Sequence, residues 1–188
     1  MGSMHNAPHL FLRIFDSSPV CHVQLHHCAN NSGDLAFSLP LGNPEGKALK
    51  STASSLKERF RNFVISGDTL QVYREGRLVY SSDKDRVVPL LEYIDRHGAD
   101  DGRSVIFDKI MGNAAALLAV KANAEEVYSP MGSRLGVDTL KKNNVKYHLK
   151  TIVPFIQKPD SEDMCFMEKL SVGKSPDEFY VAIKAIIK

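Results

Sequence analysis

The spacing of apolar residues changes character near residue 50. Before it, His9–Phe15, Val20–Cys28 and Asp34–Leu39 alternate or cluster apolar side chains, separated by Asp-Ser-Ser-Pro and Asn-Asn-Ser-Gly turn chemistry. They read as three short strands, followed by a linker at Leu41–Gly46. After Ser54 the period becomes helical: Leu56, Phe60, Phe63 and Val64 face one way, and Lys57, Glu58, Arg59 and Arg61 the other. Thr69–Arg74 and Arg77–Ser82 alternate around Glu75-Gly76, a hairpin signal. Arg86–His97 is predicted as a helix burying Val87, Leu90, Leu91 and Ile94 and closed by Gly98. A buried strand at Ser104–Phe107, an apolar helix at Ile110–Asn123, a strand at Glu126–Ser129, a helix at Ser133–Lys142 and a strand at Lys146–Leu149 follow. An irregular stretch then leads to Ser175-Pro176-Asp177-Glu178, a capping signature that opens a last helix.

A hairpin followed by strand–helix alternation predicts an α/β fold, with a mixed sheet between helices in three αβα layers. Residues 1–4 read as a cloning remnant, 5–46 as a β-rich extension and 50–188 as the main α/β domain.

Composition narrows the function classes. The 188 residues carry 24 basic and 22 acidic side chains, a net charge of +2, which gives no global pull toward nucleic acid or anionic lipid. The basic run Lys141–Lys146 reads as a solvated helix end running into a strand. No stretch approaches the ~20 apolar residues of a membrane span. Three cysteines, Cys21, Cys28 and Cys165, are too few for a disulfide scaffold, so a reduced cytoplasmic protein is expected.

The run CHVQLHHC at 21–28 offers Cys21, His22, His26, His27 and Cys28 as metal ligands. In a strand, His22 and His26 lie about 13 Å apart, too far to close a tetrahedral site from one segment. No metal and no cofactor is expected.

The hairpin LQVYREGRLVYSS, the segment VVPLLEYI, and then FDKIMGNAAALLAV, EVYSP and MCFMEKL carry a resemblance. From residue 69 to the C-terminus the chain resembles a family of uncharacterised prokaryotic proteins, a domain of unknown function assigned to the cytidine-deaminase-like fold. In this sequence Asn113 stands where that family has lysine, and Phe166 where it has proline. Zinc deaminases hold their metal with a His or Cys and two further Cys at the starts of two helices. The corresponding stretches here, Asp85–Pro89 and Asp108–Gly112, supply neither imidazole nor thiolate, so the resemblance implies the fold without zinc chemistry.

Ligands of open α/β sheets settle at the C-terminal ends of strands, which points to the corner after Phe107. Asp108 is expected to cap the following helix. Lys109 then sits at the positive end of a helix dipole, an unfavourable place for a cation unless an anion meets it. Gly112, with Asn113 and the alanines after it, leaves room either for close packing or for a ligand. Ser129 and Ser133 flank the next strand-to-helix corner, and Cys165 and Glu168 form a later cluster. The plainer readings are a buried thiol for Cys165, an ion-paired acid for Glu168 and a helix cap for Ser133.

Three functions remain open. The first is a module binding a small nucleotide-like or anionic ligand through Asp108, Lys109, Gly112, Asn113, Ser129, Ser133 and Cys165. The second is a metal-independent enzyme using Asp108, Cys165 or Glu168. The third is a structural protein that forms homo-oligomers through its N-terminal strands.

Overall fold

The computed structural model describes residues 55–98 and 102–187, all within a unit spanning Lys50–Lys188. The three strands expected before residue 50, the linker and the Cys21–Cys28 cluster lie outside the described residues.

Helix α1 (Leu56–Ile65) starts on Ser55, whose hydroxyl accepts the Glu58 N–H. Strands β1 (Leu70–Arg74) and β2 (Arg77–Ser82) form the expected hairpin. Its turn residues Glu75 and Gly76 both take positive φ, 48° and 73°, the tight-turn geometry that favours glycine at its second corner. Helix α2 (Val88–His97) ends where Gly98, at φ 64°, returns its N–H to the Ile94 carbonyl. Then come β3 (Ser104–Asp108), β4 (Ile110–Met111), α3 (Asn113–Lys121), β5 (Ala124–Ser133), α4 (Arg134–Lys142) and β6 (Lys146–Val153). Helices α5 (Phe166–Ser171) and α6 (Pro176–Lys184) close the chain, and α6 begins with the reciprocal Ser175–Glu178 capping box its sequence predicts.

The six strands make one mixed sheet. β1 runs antiparallel to both β2 and β3, while β3, β5 and β6 are mutually parallel. β4 pairs with β5 in the register that β3 has already set, so β3 and β4 together line one edge of β5 and β6 takes the other. α3 and α4 are the crossovers between parallel neighbours and pack on one face with α2 and α6. That face holds the larger core, with Leu90, Tyr93, Ile106, Leu118, Leu140, Phe179 and Ile183 buried. α1 covers the opposite face through a cluster of rings, Phe60, Phe63, Tyr73, Phe107 and Tyr128. Phe107 is its hub, touching the other four rings at centroid distances of 5.0–5.8 Å. Each such side chain removed from water stabilises the fold by roughly 1.5–3 kcal/mol.

Several boundaries differ from the expectation, among them β6, expected to stop at Leu149 and running on to Val153. The helix predicted from Ile110 begins at Asn113, because Ile110 and Met111 still pair as strand. The strand predicted to stop at Ser129 continues through Pro130 to Ser133. The stretch predicted as irregular contains α5.

Candidate functional site

The corner after β3 is shaped by what faces it on β5. By the shared register, Asp108 and Lys109 lie across from Ser129 and Pro130. Pro130 has no N–H to give, so the ladder lapses for two residues and resumes at Ile110. Ser129 repairs part of the loss: its hydroxyl donates to the Met131 carbonyl at 2.6 Å and accepts the Met131 N–H at 3.3 Å. Small residues then bring the backbones together. A β-carbon on Gly136 would lie 2.7 Å from the Met111 carbonyl oxygen, so glycine is what lets α4 start against the corner. Ser133 accepts the Gly136 N–H and caps α4, its plainer expected role.

Strand alternation sends the two residues of the gap to opposite faces of the sheet. Lys109 turns to the α1 side. Its ammonium donates to the carbonyls of Phe63 (2.8 Å), Val64 (2.7 Å) and Ser66 (3.1 Å), and lies 4.8 Å from the Phe63 ring centre. It therefore satisfies the carbonyl end of α1, where a helix dipole favours a cation. The expectation that Lys109 faces the start of α3 is corrected, and the apparent conflict with the dipole disappears with it. Burial pulls its pKa below the ordinary lysine value, and Asp68 opposes that shift.

Asp108 stays buried at the end of β3. It does not cap α3, as expected from sequence; Gly112 occupies that position, and the Asp108 carboxylate accepts the Ile110 N–H at 2.9 Å. Desolvation pushes its pKa up to about 7, against the smaller opposing effect of the Ile110 hydrogen bond.

The start of α3 is instead capped from a distance. Glu168, on α5 and only 1% exposed, places Oε2 2.7 Å from the Asn113 N–H. An anion at a helix N-terminus is the favourable arrangement, here supplied by a carboxylate 55 residues away in sequence. The Asn113 side chain extends the network. Its amide donates to Ser171 Oγ at 2.9 Å and accepts from the Thr139 hydroxyl at 2.5 Å, and Ser171 in turn donates to the Glu168 carbonyl at 2.7 Å. The space beside Gly112 is taken by close packing: a β-carbon there would lie 2.6 Å from Glu168 Oε2 and 2.8 Å from Ile156 Cγ1. One atom is left over. Glu168 Oε1 is buried and accepts no hydrogen bond among the described residues.

The half-buried Cys165 is the residue before α5, and its N–H donates to the Ile156 carbonyl at 2.7 Å. That bond and the Gln157–Met164 bridge fold residues 156–165 back so that Ile156 and Glu168 both reach Gly112. Of the residues expected at a site, the structure gathers Gly112, Asn113 and Glu168, with Cys165 one helical turn before Glu168. Ser129 and Ser133 are engaged with nearby backbone, and Lys109 is spent on α1. Thr139, Ser171 and Ile156 belong to the cluster and were missed. A threonine and a serine inside helices carry no local signal of the asparagine they meet. Among the described residues, no three His, Cys, Asp or Glu side chains converge as a metal set would.

The start of α3 thus offers a buried acceptor oxygen, Glu168 Oε1, at the positive end of a helix, and the end of β3 holds a second buried carboxyl, Asp108, whose pKa burial pushes up to about 7. The first can accept a hydrogen bond from an N–H or O–H group, and the second can exchange a proton.

No curated protein matches the chain. The crystal structure of a DUF1893 family protein (TM1506) from Thermotoga maritima matches it with a TM-score of 0.61 at 22% identity, covering 70% of this chain and 88% of that one. The family described as TM1506, domain of unknown function (DUF1893), matches residues 60–187, from the middle of α1 to the end of the described chain. With well over half of its length inside that match, the chain belongs to the DUF1893 family.

Proposed function

We propose that the corner between β3, α3 and α5 binds a small nucleotide-like molecule, and that the molecule is recognised as a hydrogen-bond donor. The observation that carries this reading is Glu168 Oε1, a buried carboxylate oxygen with no donor among the described residues. A buried acceptor left unsatisfied costs about 1–3 kcal/mol, more when charged, and a ligand N–H that reaches it recovers that cost. An amino or ring N–H of a nucleobase has the required chemistry. The anionic ligand expected from sequence is less well served. The cation that was to meet it is committed to α1, and both ionisable groups at the corner are acids. The strand order, with a hairpin leading into three parallel strands, supports the likeness to a cytidine-deaminase fold without its zinc ligands.

A second reading, a metal-independent enzyme, has one observation in its favour. A buried carboxyl with a pKa near 7 is suited to passing a proton, and Asp108 is such a group. In that reading Asp108 is the acid–base residue, and Glu168 orients the substrate.

Thermal-shift measurements on the full chain with free bases and nucleosides test the first reading. Stabilisation is expected from compounds bearing an amino or ring N–H donor. Glu168→Gln should abolish it, because the carboxamide turns an NH2 toward the ligand while its oxygen keeps the Asn113 bond. Equal stabilisation of parent and Glu168→Gln by the same donor compounds would overturn the proposal.

A further inference from the structure

A second candidate lies on the other face of the sheet and is independent of the corner. An open cleft of about 440 Å³ runs between α1 and strands β5 and β6, over a floor of Phe60 and Tyr128. Lys57 and Arg61 of α1 and His148 and Lys150 of β6 line it, all four exposed. Their placement runs against local electrostatic rules. Lys57 lies in the first turn of α1, where the helix dipole disfavours a cation. Arg61 follows one turn later on the same helix face, a like-charge pair. Lys150 approaches from β6, with its ammonium 5.3 Å from the Phe60 ring centre. Among the described residues no carboxylate pairs with any of these three cations.

Glu126 is engaged with the rings and makes no ion pair with these three cations: its Oε1 takes His148 Nε2 at 2.7 Å and accepts the Tyr128 hydroxyl at 3.1 Å. Burial and that carboxylate hold the Tyr128 pKa up to about 12, so the phenol brings no charge. The His148 ring lies flat on Tyr128, at 4.4 Å between centroids and 16° between planes, and its side chain is still 53% exposed. One face of the imidazole is therefore packed on Tyr128, and about half of the side chain stays in solvent.

We propose that this cleft binds a nucleoside phosphate as a single unit, the phosphate held by Lys57, Arg61 and Lys150 and the base laid on His148. Three cations along one cleft, none paired with a carboxylate among the described residues, favour an anion there. An aromatic shelf, fixed by stacking from below and by Glu126 at its edge, suits a flat ring. The cleft volume falls in the range of small-molecule sites and far exceeds what an inorganic anion alone would fill.

The test is a calorimetric titration of the full chain with ADP, adenosine, inorganic phosphate and a single-stranded oligonucleotide. ADP is expected to bind saturably, more tightly than phosphate or adenosine, and to weaken with added salt. A Lys57→Glu, Lys150→Glu double variant should lose roughly tenfold or more of that affinity, and its exposed substitutions should leave the melting temperature in place. His148→Ala should weaken ADP and leave phosphate unchanged. The proposal fails if ADP shows no saturable binding, or if the charge-reversed chain binds it as the parent does. It also fails if the oligonucleotide occupies several nucleotides per chain and displaces ADP, which would make the surface a polynucleotide track.

Discussion

Lys109 shows how far one side chain's meaning depends on what lies across from it. At sequence level it is a cation at the wrong end of a helix; in the fold it is the terminal cap of a different helix. Lys109→Met should therefore destabilise the protein by roughly 1–3 kcal/mol, since three carbonyls lose a charged donor. Urea unfolding would read this, and binding at the corner should be unaffected once the folded fraction is taken into account. Gly112→Ala should also destabilise, by about 1–3 kcal/mol, because its methyl group would press on Glu168 Oε2 and Ile156. If steric pressure on the carboxylate is the cause, Glu168→Ala in the same chain should relieve part of the loss, and a double-mutant cycle measures that coupling.

Asp108 gives the residue scale its pH signature. Its pKa is raised from 3.8 to about 7 on folding, so across that window the folded protein keeps a proton that the unfolded chain has released. This group therefore weakens the fold progressively as pH rises from about 4 to about 7, and its full cost stands above that range. Asp108→Asn, which keeps an acceptor for the Ile110 N–H, should be more stable than the parent at pH 8. The two should converge near pH 4. Guanidinium unfolding at both pH values checks this, and an unchanged difference across the range would contradict the assignment.

At the scale of elements, the sequence was most readable where local chemistry decides the outcome. The Glu75-Gly76 turn, the Gly98 stop and the Ser175 capping box each act within four residues, and each stands where its pattern places it. The start of α3 is illegible for the same physical reason in reverse. Nothing local distinguishes Ile110-Met111 as strand, and only the pairing of these residues with Met131 and Gly132 makes them so. Gly112 looked like a small residue inside a helix, and it is the residue before one. β5 was cut short because proline reads as a break, whereas the sheet tolerates Pro130 by skipping two residues of the ladder and letting Ser129 bond Met131. The six residues of α5 carry too little periodicity to announce a helix. The candidate site was legible only in part. Asp108, Gly112, Asn113, Cys165 and Glu168 could be singled out, but the bond joining Glu168 to Asn113 spans two helices and leaves no local trace. One element-level expectation follows. Thr139→Val keeps the shape of α4 but removes the donor to Asn113, and should cost about 1–3 kcal/mol in urea unfolding.

For the whole molecule, the sheet separates two chemistries. Its α3 side ends in a buried acidic corner, and its α1 side carries an exposed cationic cleft backed by stacked rings. No helix among the described residues is long and apolar enough to cross a membrane. Surface ion pairs such as Lys121–Asp177 and Lys184–Asp95 tie α6 to α3 and α2, but at their exposure each adds little. What holds the corner in shape is burial: Met111, Asn113 and Glu168 are all enclosed, so the acceptor at Glu168 Oε1 is built into the fold.

Binding of a ligand donor by this oxygen is what the proposed function turns on. It is tested most directly by following the Asn113 backbone amide, which bonds the other oxygen of the same carboxylate, in a nitrogen–proton NMR titration with amino-bearing nucleosides. A saturable shift of that resonance is expected, with the largest changes at Gly112, Asn113 and Glu168, and its loss in Glu168→Gln. An Asn113 resonance that stays fixed while ligand-dependent shifts appear elsewhere, or no shift at any amide, would contradict it.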